Sequence, residues 1–349
     1  MSKSTQLSNL IKKRIVNGDY ALKTLPAERQ LAKDSNVSHM TARRALQHLI
    51  EEGILVRNPS GRLEINRDRT LGSHSLKFAF LLPDFETPAS NPYRQALDRA
   101  SEVFGKVRPV FYMHWDDPLI ADALAGFDGI FLLPSSEPIP AEIMRQFARS
   151  AHPVVSISHD LTAYGIPSIY LMPPVFVQRL LDHLEAQGCR RIGCLNVQPH
   201  DDVVAQRIEQ WQIWMAAHRF EAPLFDEPVE PYEDTFARAY SYITQLIASG
   251  KLDDVDALIC ITTPAAVGAI RAMRDAGMNP GADIAICSIV DENIAAYTVP
   301  SITTMVQTDP TPYIAKCLKW MSEGGPWTGP LLMQPTDIQL VVRESTPAR

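Results

Sequence analysis

The stretch "LPAERQLAKDSNVSHMTARRALQHLIEEGIL", residues 25–55, contains two short helical patterns joined by a few polar residues. In the second pattern Ser38 stands where a helix N-cap is expected. Apolar residues then recur at the spacing of one helical face, namely Ala42, Ala45, Leu46, Leu49 and Ile50. The opposite face carries His39, Arg43 and Gln47, with Met40 and Arg44 beside them. A purely structural helix needs only its apolar face, so the polar face is a candidate contact surface.

The segments on either side complete a small domain. "TQLSNLIKKRIVNGDY" predicts a first helix that ends near Gly18, and "PAERQLAKDS" predicts a second helix with Pro26 in its first turn. Glu28 then lies near the positive end of that helix dipole. Two short extended runs, "ILVRN" and "RLEIN", flank the turn "PSG" and predict a β-hairpin. Three helices followed by a hairpin predict a winged helix-turn-helix.

This arrangement gives the polar face a function. In a helix-turn-helix the second helix enters the major groove of DNA by its N-terminal end. Arg43 can bond a guanine edge, Ser38 and Thr41 can bond phosphate or base, and His39 can donate to either, while Met40 can contact a thymine methyl group. The alternative is a solvated helix face with a local cap. The preceding helix and the following hairpin favour DNA binding over that alternative.

The charge distribution agrees with a nucleic-acid-binding head. The chain has 349 residues and a net charge of −7. Through Ser75 there are 13 Lys and Arg against 7 Asp and Glu, whereas the remainder holds 20 basic and 33 acidic residues. A balance of +6 in the head and −13 in the body is typical of a protein in which one module meets a polyanion. Chance surface composition is the alternative explanation.

From Leu76 onward, continuous apolar runs alternate with helical patterns, as in "LKFAFLLPD", "GFDGIFLLPSS", "PVVSISHD", "RRIGCLN", "VDALICIT" and "IAICSIV". Buried strands separated by helices predict a parallel sheet covered on both faces. The number of elements favours two Rossmann-like lobes over one sheet. We therefore predict an α/β chain with a winged-helix domain over residues 1–67, a linker over 68–75 and a two-lobed domain over 76–345.

The cysteines and the hydropathy pattern predict a cytoplasmic protein. The five cysteines form no CxxC pair, and three of them lie inside apolar runs, which is typical of small buried side chains in a reducing compartment. The N-terminus has no apolar core of signal-peptide length, and no run has the length of a membrane helix. No metal and no cofactor is expected.

Three roles are open for the acidic body, namely enzyme, sensor or oligomerisation domain. Catalysis requires a converging set of reactive groups. The sequence contains no GxSxG, no HExxH and no Gly-rich phosphate loop, and its histidines are scattered. The sequence therefore predicts that the chain is not an enzyme.

The head resembles GntR-type winged-helix regulators over about residues 5–66. The resemblance rests on a Leu-Pro-x-Glu-Arg run, then Val-Ser-x-x-Thr-x-Arg-x-Ala-Leu, then a Gly before the wing. It implies DNA contacts by Arg29 and by the residues at the start of the recognition helix: Ser38, His39, Met40, Thr41 and Arg43. His39 stands where the family often has Arg. In the wing, Gly61 matches the glycine of the family's tip, and Ser60 and Arg62 flank it.

The body resembles the LacI-type effector domain, a relative of periplasmic sugar-binding proteins. "GFDGIFLLPSS" is similar to that family's "VDGII" strand and "HLEAQGCRRIGCLN" to its "HLxxxGHRRIA" junction. In this fold a ligand binds between the lobes, at the carboxyl ends of strands.

The resemblance implies a set of ligand-binding residues: Asp84, Phe85, Ser158, Arg207, Thr262, Asp291 and Gln307. The chain also departs from the family's pattern. Thr262 and Thr263 replace an Asn-Asp pair, Ser158 and His159 replace an Asp-Arg pair, and Met172 replaces a polar residue. These changes predict a less polar or differently charged ligand, or the loss of ligand binding.

Together these patterns predict a DNA-binding transcription regulator. We expect a ligand-responsive repressor that binds a palindromic operator in double-stranded DNA as a homodimer, with a sugar or sugar derivative as a candidate effector and no membrane partner. The alternative is a cytoplasmic carbohydrate-binding or carbohydrate-processing protein with an incidental helical N-terminal domain.

Overall fold

The computed structural model describes residues 3–17, 25–58, 61–66, 76–84, 90–230 and 233–347. The predicted linker, Phe85 and Ser60 lie outside these residues. The head contains three helices and a two-stranded hairpin: α1 (Lys3–Asn17), α2 (Glu28–Asp34), α3 (His39–Glu51), β1 (Leu55–Arg57) and β2 (Leu63–Ile65). The predicted hairpin is present, and its antiparallel strands pair Leu55 with Ile65.

The apolar face of α3 is the centre of the head core. Ala42, Ala45 and Leu49 have no exposed surface, and they pack with side chains of α1 and α2. The prediction that Pro26 lies in the first turn of α2 is wrong, because α2 begins at Glu28 and Ala27 is its N-cap. Ala27 has extended backbone angles (φ −60°, ψ 152°), so the chain turns into the helix two residues after the proline.

The body consists of two lobes, each built around a six-stranded sheet. We call the first the N-lobe. Its sheet has the order β13-β7-β6-β5-β3-β4 and every described pair is parallel. Its elements are β3 (Lys77–Pro83), α4 (Asn91–Phe104), β4 (Lys106–Tyr112), α5 (Pro118–Gly126), β5 (Gly129–Leu132), α6 (Ala141–Ala148), β6 (Val154–Ile157), β7 (Ser168–Ile169), α11 (Thr311–Glu323) and β13 (Leu332–Met333).

The second lobe, the C-lobe, has the strand order β14-β12-β11-β10-β8-β9, in which only the described pair β12–β14 is antiparallel. Its elements are α7 (Val177–Ala186), β8 (Ile192–Asn196), α8 (Asp202–His218), β9 (Leu224–Asp226), α9 (Thr235–Ala248), β10 (Ala257–Cys260), α10 (Thr263–Asp275), β11 (Ala285–Ser288), β12 (Thr303–Met305) and β14 (Leu340–Val341). Three-residue 3-10 turns occur at Thr162–Tyr164, Pro174–Phe176 and Ala295–Tyr297.

Each sheet is covered by apolar side chains on both faces, which confirms the predicted doubly covered α/β architecture. The chain passes between the lobes after β7, after β12 and again after β13. All five cysteines are buried and none forms a disulfide, which agrees with the burial predicted for the three that lie in apolar runs. Within the described ranges, no helix combines the length and the apolar character needed to cross a membrane.

Candidate functional site

The first candidate site is the N-terminal end of α3. Ser38 caps the helix, since its Oγ accepts a hydrogen bond from the backbone N–H of Thr41 at 3.2 Å. The two hydroxyl groups also share a hydrogen bond of 2.8 Å. The cap predicted from the sequence is therefore present, and it fixes the orientation of the first turn.

The side chains that follow the cap point into solvent. Ser38, His39 and Arg43 are exposed, and Met40 is 55% exposed although it is apolar. His39 lies 3.9 Å from the carboxylate of Glu28 on α2. The polar face of α3 is thus accessible, and an exposed methionine at its start is an apolar contact group that the head core does not use.

Other predicted DNA contacts flank this face. Arg29, in the first turn of α2, is exposed. In the hairpin, Gly61 is exposed and has a φ of +76°, a conformation that favours glycine. Its carbonyl accepts a hydrogen bond from Nη1 of Arg57 at 2.9 Å, and Asn58 Oδ1 accepts one from the backbone N–H of Arg62 at 2.9 Å. The described residues on the two sides of the wing tip are therefore joined by hydrogen bonds of Arg57 and Asn58.

The second candidate site is a cavity of about 490 Å³ between the two lobes. Residues that follow β6 and β7 in the N-lobe, including Ser158 and Tyr170, lie on one wall. Residues that follow β8 and β10 or belong to α8, including Thr262 and Arg207, lie on the other. The carboxyl ends of parallel strands face each other here, which is where α/β folds place their ligands.

The structure places four of the seven predicted ligand residues on the cavity wall: Ser158, Arg207, Thr262 and Gln307. Asp84 is exposed and does not line the cavity. Asp291 also lies outside the lining, because its carboxylate forms an ion pair of 2.9 Å with Arg343. Of the residues that depart from the family pattern, His159 and Met172 line the cavity.

Arg207 is the cationic centre of the cavity. It is only 8% exposed, and its Nη1 donates a hydrogen bond of 3.1 Å to the carbonyl oxygen of Ile261. Burial lowers the pKa of its guanidinium, while the nearby phenol of Tyr170 and the carboxyl groups of Asp201 and Glu292 raise it. The side chain lies across the carboxyl end of β10 with one N–H group, on Nε, unpartnered within the described protein.

Glu292 was not predicted from the sequence, although it lines the cavity and is only 9% exposed. Burial raises the pKa of its carboxyl group to about 7, against the opposing effect of Arg207. The signal lies in the run "IVDEN" after β11: Val290 and Glu292 line the cavity, while Asp291 between them turns to Arg343.

His159 and the tyrosines complete the polar wall. His159 Nε2 lies 3.9 Å from Asp201 Oδ2, across the cleft, and burial lowers the pKa of the imidazole. Ser158 adopts a φ of +66°, and its hydroxyl donates to the phenol oxygen of Tyr93 at 3.1 Å. Burial raises the pKa of Tyr170 to about 12, so this phenol keeps its proton at neutral pH.

Among the described residues, no group of three or more His, Cys, Asp or Glu side chains is arranged to hold a metal ion. The cavity wall instead combines apolar side chains with a few polar groups on each lobe, which is the composition of a small-molecule site.

Two family models match separate parts of the chain. Residues 3–65 match the family of bacterial regulatory proteins of the gntR type, and residues 181–346 match the periplasmic binding protein-like domain. No curated protein shows significant sequence similarity to the chain.

Solved structures share the fold at low identity. The lac repressor dimer bound to operator and the anti-inducer ONPF is 19% identical, with a TM-score of 0.66 over 81% of this chain and 99% of that one. The transcription regulator CcpA of Lactococcus lactis is 18% identical, with a TM-score of 0.63 over 78% and 100% of the two chains. The transcription regulator GntR from Chromobacterium violaceum is 21% identical, with a TM-score of 0.59 over 77% and 99%.

Together these matches assign the head to bacterial regulatory proteins of the gntR type and the body to the periplasmic-binding-protein-like fold. The chain thus joins a GntR-type winged-helix domain to a two-lobed domain whose fold is that of the LacI-like regulators. The resemblances seen in the sequence are thereby confirmed for both domains.

Proposed function

We propose that this chain is a repressor that binds a palindromic DNA operator as a homodimer and changes its affinity for DNA when a small molecule binds between its lobes. The observation that carries this proposal is the exposed polar face of α3, capped by Ser38 and followed by His39, Met40 and Arg43. Because a fixed helix N-terminus with donors on its outer face fits the major groove, base reading is assigned to this face.

We further propose the roles of the flanking residues. Arg29 contacts the DNA backbone or a base, and the wing around Gly61 contacts the minor groove, since both are exposed in the same head as α3. The division into a head of residues 1–67, a linker of 68–75 and a body of 76–345 remains part of this proposal. As a regulator of transcription, the protein would work in the cytoplasm, where bacterial DNA lies.

The dimer is supported by apolar side chains on the surface of the C-lobe. Tyr297 is 86% exposed and Val299 is 77% exposed in the segment between β11 and β12. Large exposed apolar groups in one segment are typical of a protein-protein contact. A two-fold dimer presents two recognition helices, which accounts for a palindromic operator.

The experiment starts with the selection of bound sequences from a random DNA pool by the full chain, with and without candidate sugars. Binding to the selected operator is then measured for the wild type and for Arg43→Ala. Loss of a forked contact to one base should weaken operator binding by about 1–3 kcal/mol and relax the preference at one base position in each half-site.

Arg94→Ala is the matched control, since Arg94 is an exposed arginine on α4 of the N-lobe. This variant should bind the operator as the wild type does. Affinity should also fall steeply with salt, because each phosphate contact releases counterions. If Arg43→Ala keeps full sequence discrimination, the assignment of base reading to α3 is wrong. If the chain shows no salt-dependent DNA affinity, the result favours the alternative of a carbohydrate-binding protein.

A further inference from the structure

The cavity between the lobes contains an unusual concentration of unpartnered polar atoms. Four buried side-chain atoms of the described residues have no hydrogen-bond partner: Ser135 Oγ, His159 Nδ1, Arg207 Nε and Glu292 Oε2. All four residues line this one cavity. Because buried polar groups in folded proteins are nearly always satisfied, these four atoms indicate the positions of groups on a ligand.

The chemistry of two of these atoms restricts the ligand. Arg207 Nε is a donor only, so the ligand must place an acceptor oxygen or nitrogen against it. An ionised Glu292 is an acceptor only, so the ligand must place a donor there. No ion pair joins Glu292 to a Lys, Arg or His side chain within the described ranges. A buried carboxylate that feels the charge of Arg207 but forms no direct ion pair favours a ligand donor that carries positive charge.

The balance of charge around the cavity points the same way. The lining contains one arginine and six carboxyl side chains: Glu137, Asp201, Glu230, Glu233, Asp234 and Glu292. Four of the six, including Asp201, already have partners within the protein. Glu137 lies 3.4 Å from His114, Glu233 lies 3.2 Å from Arg238, and Asp234 accepts a hydrogen bond from the backbone N–H of Phe236 at 2.9 Å.

The carboxyl groups of Asp201 and Glu292 are the ones that act electrostatically on Arg207. Asp201 also caps α8 by accepting from the N–H of Val204 at 2.7 Å, and it faces His159, whose pKa burial lowers. With both carboxyl groups ionised, this cluster has one negative charge more than Arg207 can balance. A neutral polyol would supply hydrogen bonds but would leave that charge in place, whereas an ammonium group would remove it.

Resting on the proposed effector binding, we propose that the cleft selects a small molecule that carries a basic nitrogen beside a hydroxyl or carbonyl oxygen. The oxygen accepts from Arg207 Nε, and the ammonium group donates to Glu292. The rings of Tyr93, Tyr170 and Phe236 also line the cavity, and aromatic faces attract cations.

The test uses three probes of one size: serinol (2-amino-1,3-propanediol), glycerol and glycerate. Each is far smaller than a cavity of about 490 Å³, so steric exclusion does not decide the result. Binding to the full chain is measured by NMR titration and by the shift in thermal midpoint, with ammonium chloride as the salt control. The titration is run at about pH 8, above the pKa of Glu292, which is about 7.

The expected result is an apparent Kd about tenfold lower for serinol than for glycerol, with glycerate weakest, since a hydrogen bond to a charged partner exceeds a neutral one by that order. Glu292→Gln, which keeps the shape and removes the charge, should abolish the preference for serinol. Glu221→Gln is the matched control, because Glu221 is exposed on the C-lobe outside the cavity lining, and it should keep that preference.

Equal binding of serinol and glycerol, stronger binding of glycerate, or a serinol effect no larger than that of ammonium chloride would overturn the inference. The comparison of the three probes on the wild-type chain decides this even if Glu292→Gln does not fold.

Operator binding is measured in parallel. If DNA recognition holds while the probes show no charge preference, the inference fails and the proposed regulator stands; if the wild type binds no operator, the proposed function fails independently.

Discussion

Glu292 should make the stability of the body depend on pH in a specific window. Burial raises the pKa of its carboxyl group from an ordinary value of 4.5 to about 7. A carboxyl group whose pKa is higher in the folded state stabilises the fold when protonated. That contribution is complete below about pH 4.5 and is lost as the pH rises through about 7. At about 1.4 kcal/mol for each tenfold change in the proton equilibrium, the contribution amounts to about 3 kcal/mol.

The assay is urea unfolding of the full chain at several pH values across this window, for the wild type and for Glu292→Gln. Glutamine resembles the protonated acid at every pH. As the pH rises across this window, the free energy of unfolding of the variant should therefore increase relative to that of the wild type, by up to about 3 kcal/mol. His159 contributes in the opposite sense, because its pKa is lowered and its stabilisation is lost as the pH falls. This contribution is present in both proteins and cancels in the difference.

Glu221→Gln should follow the wild type throughout, since Glu221 is exposed. Parallel curves for the wild type and Glu292→Gln would refute the reasoning, because they would mean that Glu292 titrates as an ordinary solvated carboxyl group and that the cavity wall is open to water.

Three further substitutions test the local structure. Ser38→Ala should cost the head about 1 kcal/mol in its thermal transition by removing the cap of α3, whereas Ser38→Asn should keep most of it; equal loss in both would contradict the capping role. Gly268→Ala should lower the free energy of urea unfolding of the C-lobe by about 1–3 kcal/mol. The added methyl group would lie 2.6 Å from the Cβ of Ala239 and force α9 and α10 apart. An unchanged free energy would mean that the two helices separate without cost. Arg343→Leu should cost about 3 kcal/mol, because the mostly buried carboxylate of Asp291 would lose its cation. A second change, Asp291→Leu, should recover part of the loss; no recovery would show that the lost packing, and not the charge, is responsible.

The head could be predicted from the sequence because its signals are local. The cap at Ser38, the apolar spacing from Ala42 to Leu49 and the turn around Gly61 all act within a few residues of one another. The alternation of strands and helices in the body is equally local, so the doubly covered sheets were also predictable. The starting residue of α2 was wrong by two, since extended backbone at Ala27 delays the helix.

The cleft could be predicted only in part, because its wall depends on contacts between distant segments. The sequence pointed to Asp291, whereas Arg343 near the C-terminus draws that carboxylate away and leaves Glu292 to face the cavity. Between Asp291 and Arg343 the chain passes through α11 and β13 of the N-lobe, so the run "IVDEN" alone does not reveal that these two residues form an ion pair. Asp84 does not line the cavity either, because it is exposed to solvent after the end of β3.

The same geometry explains why a ligand would control the distance between the lobes. The direct contacts across the cleft are long: 3.9 Å from His159 to Asp201 and 3.4 Å from Tyr170 to Gln206. Neither provides a strong bond between the walls, while each wall holds unpartnered polar atoms at which a bound molecule could form hydrogen bonds to both lobes. A ligand that bonds to both walls binds the closed form better than the open one and shifts the population toward it. In the proposed regulator, the head precedes β3 of the N-lobe in the chain, so a change in the angle between the lobes alters the spacing of two heads in a dimer.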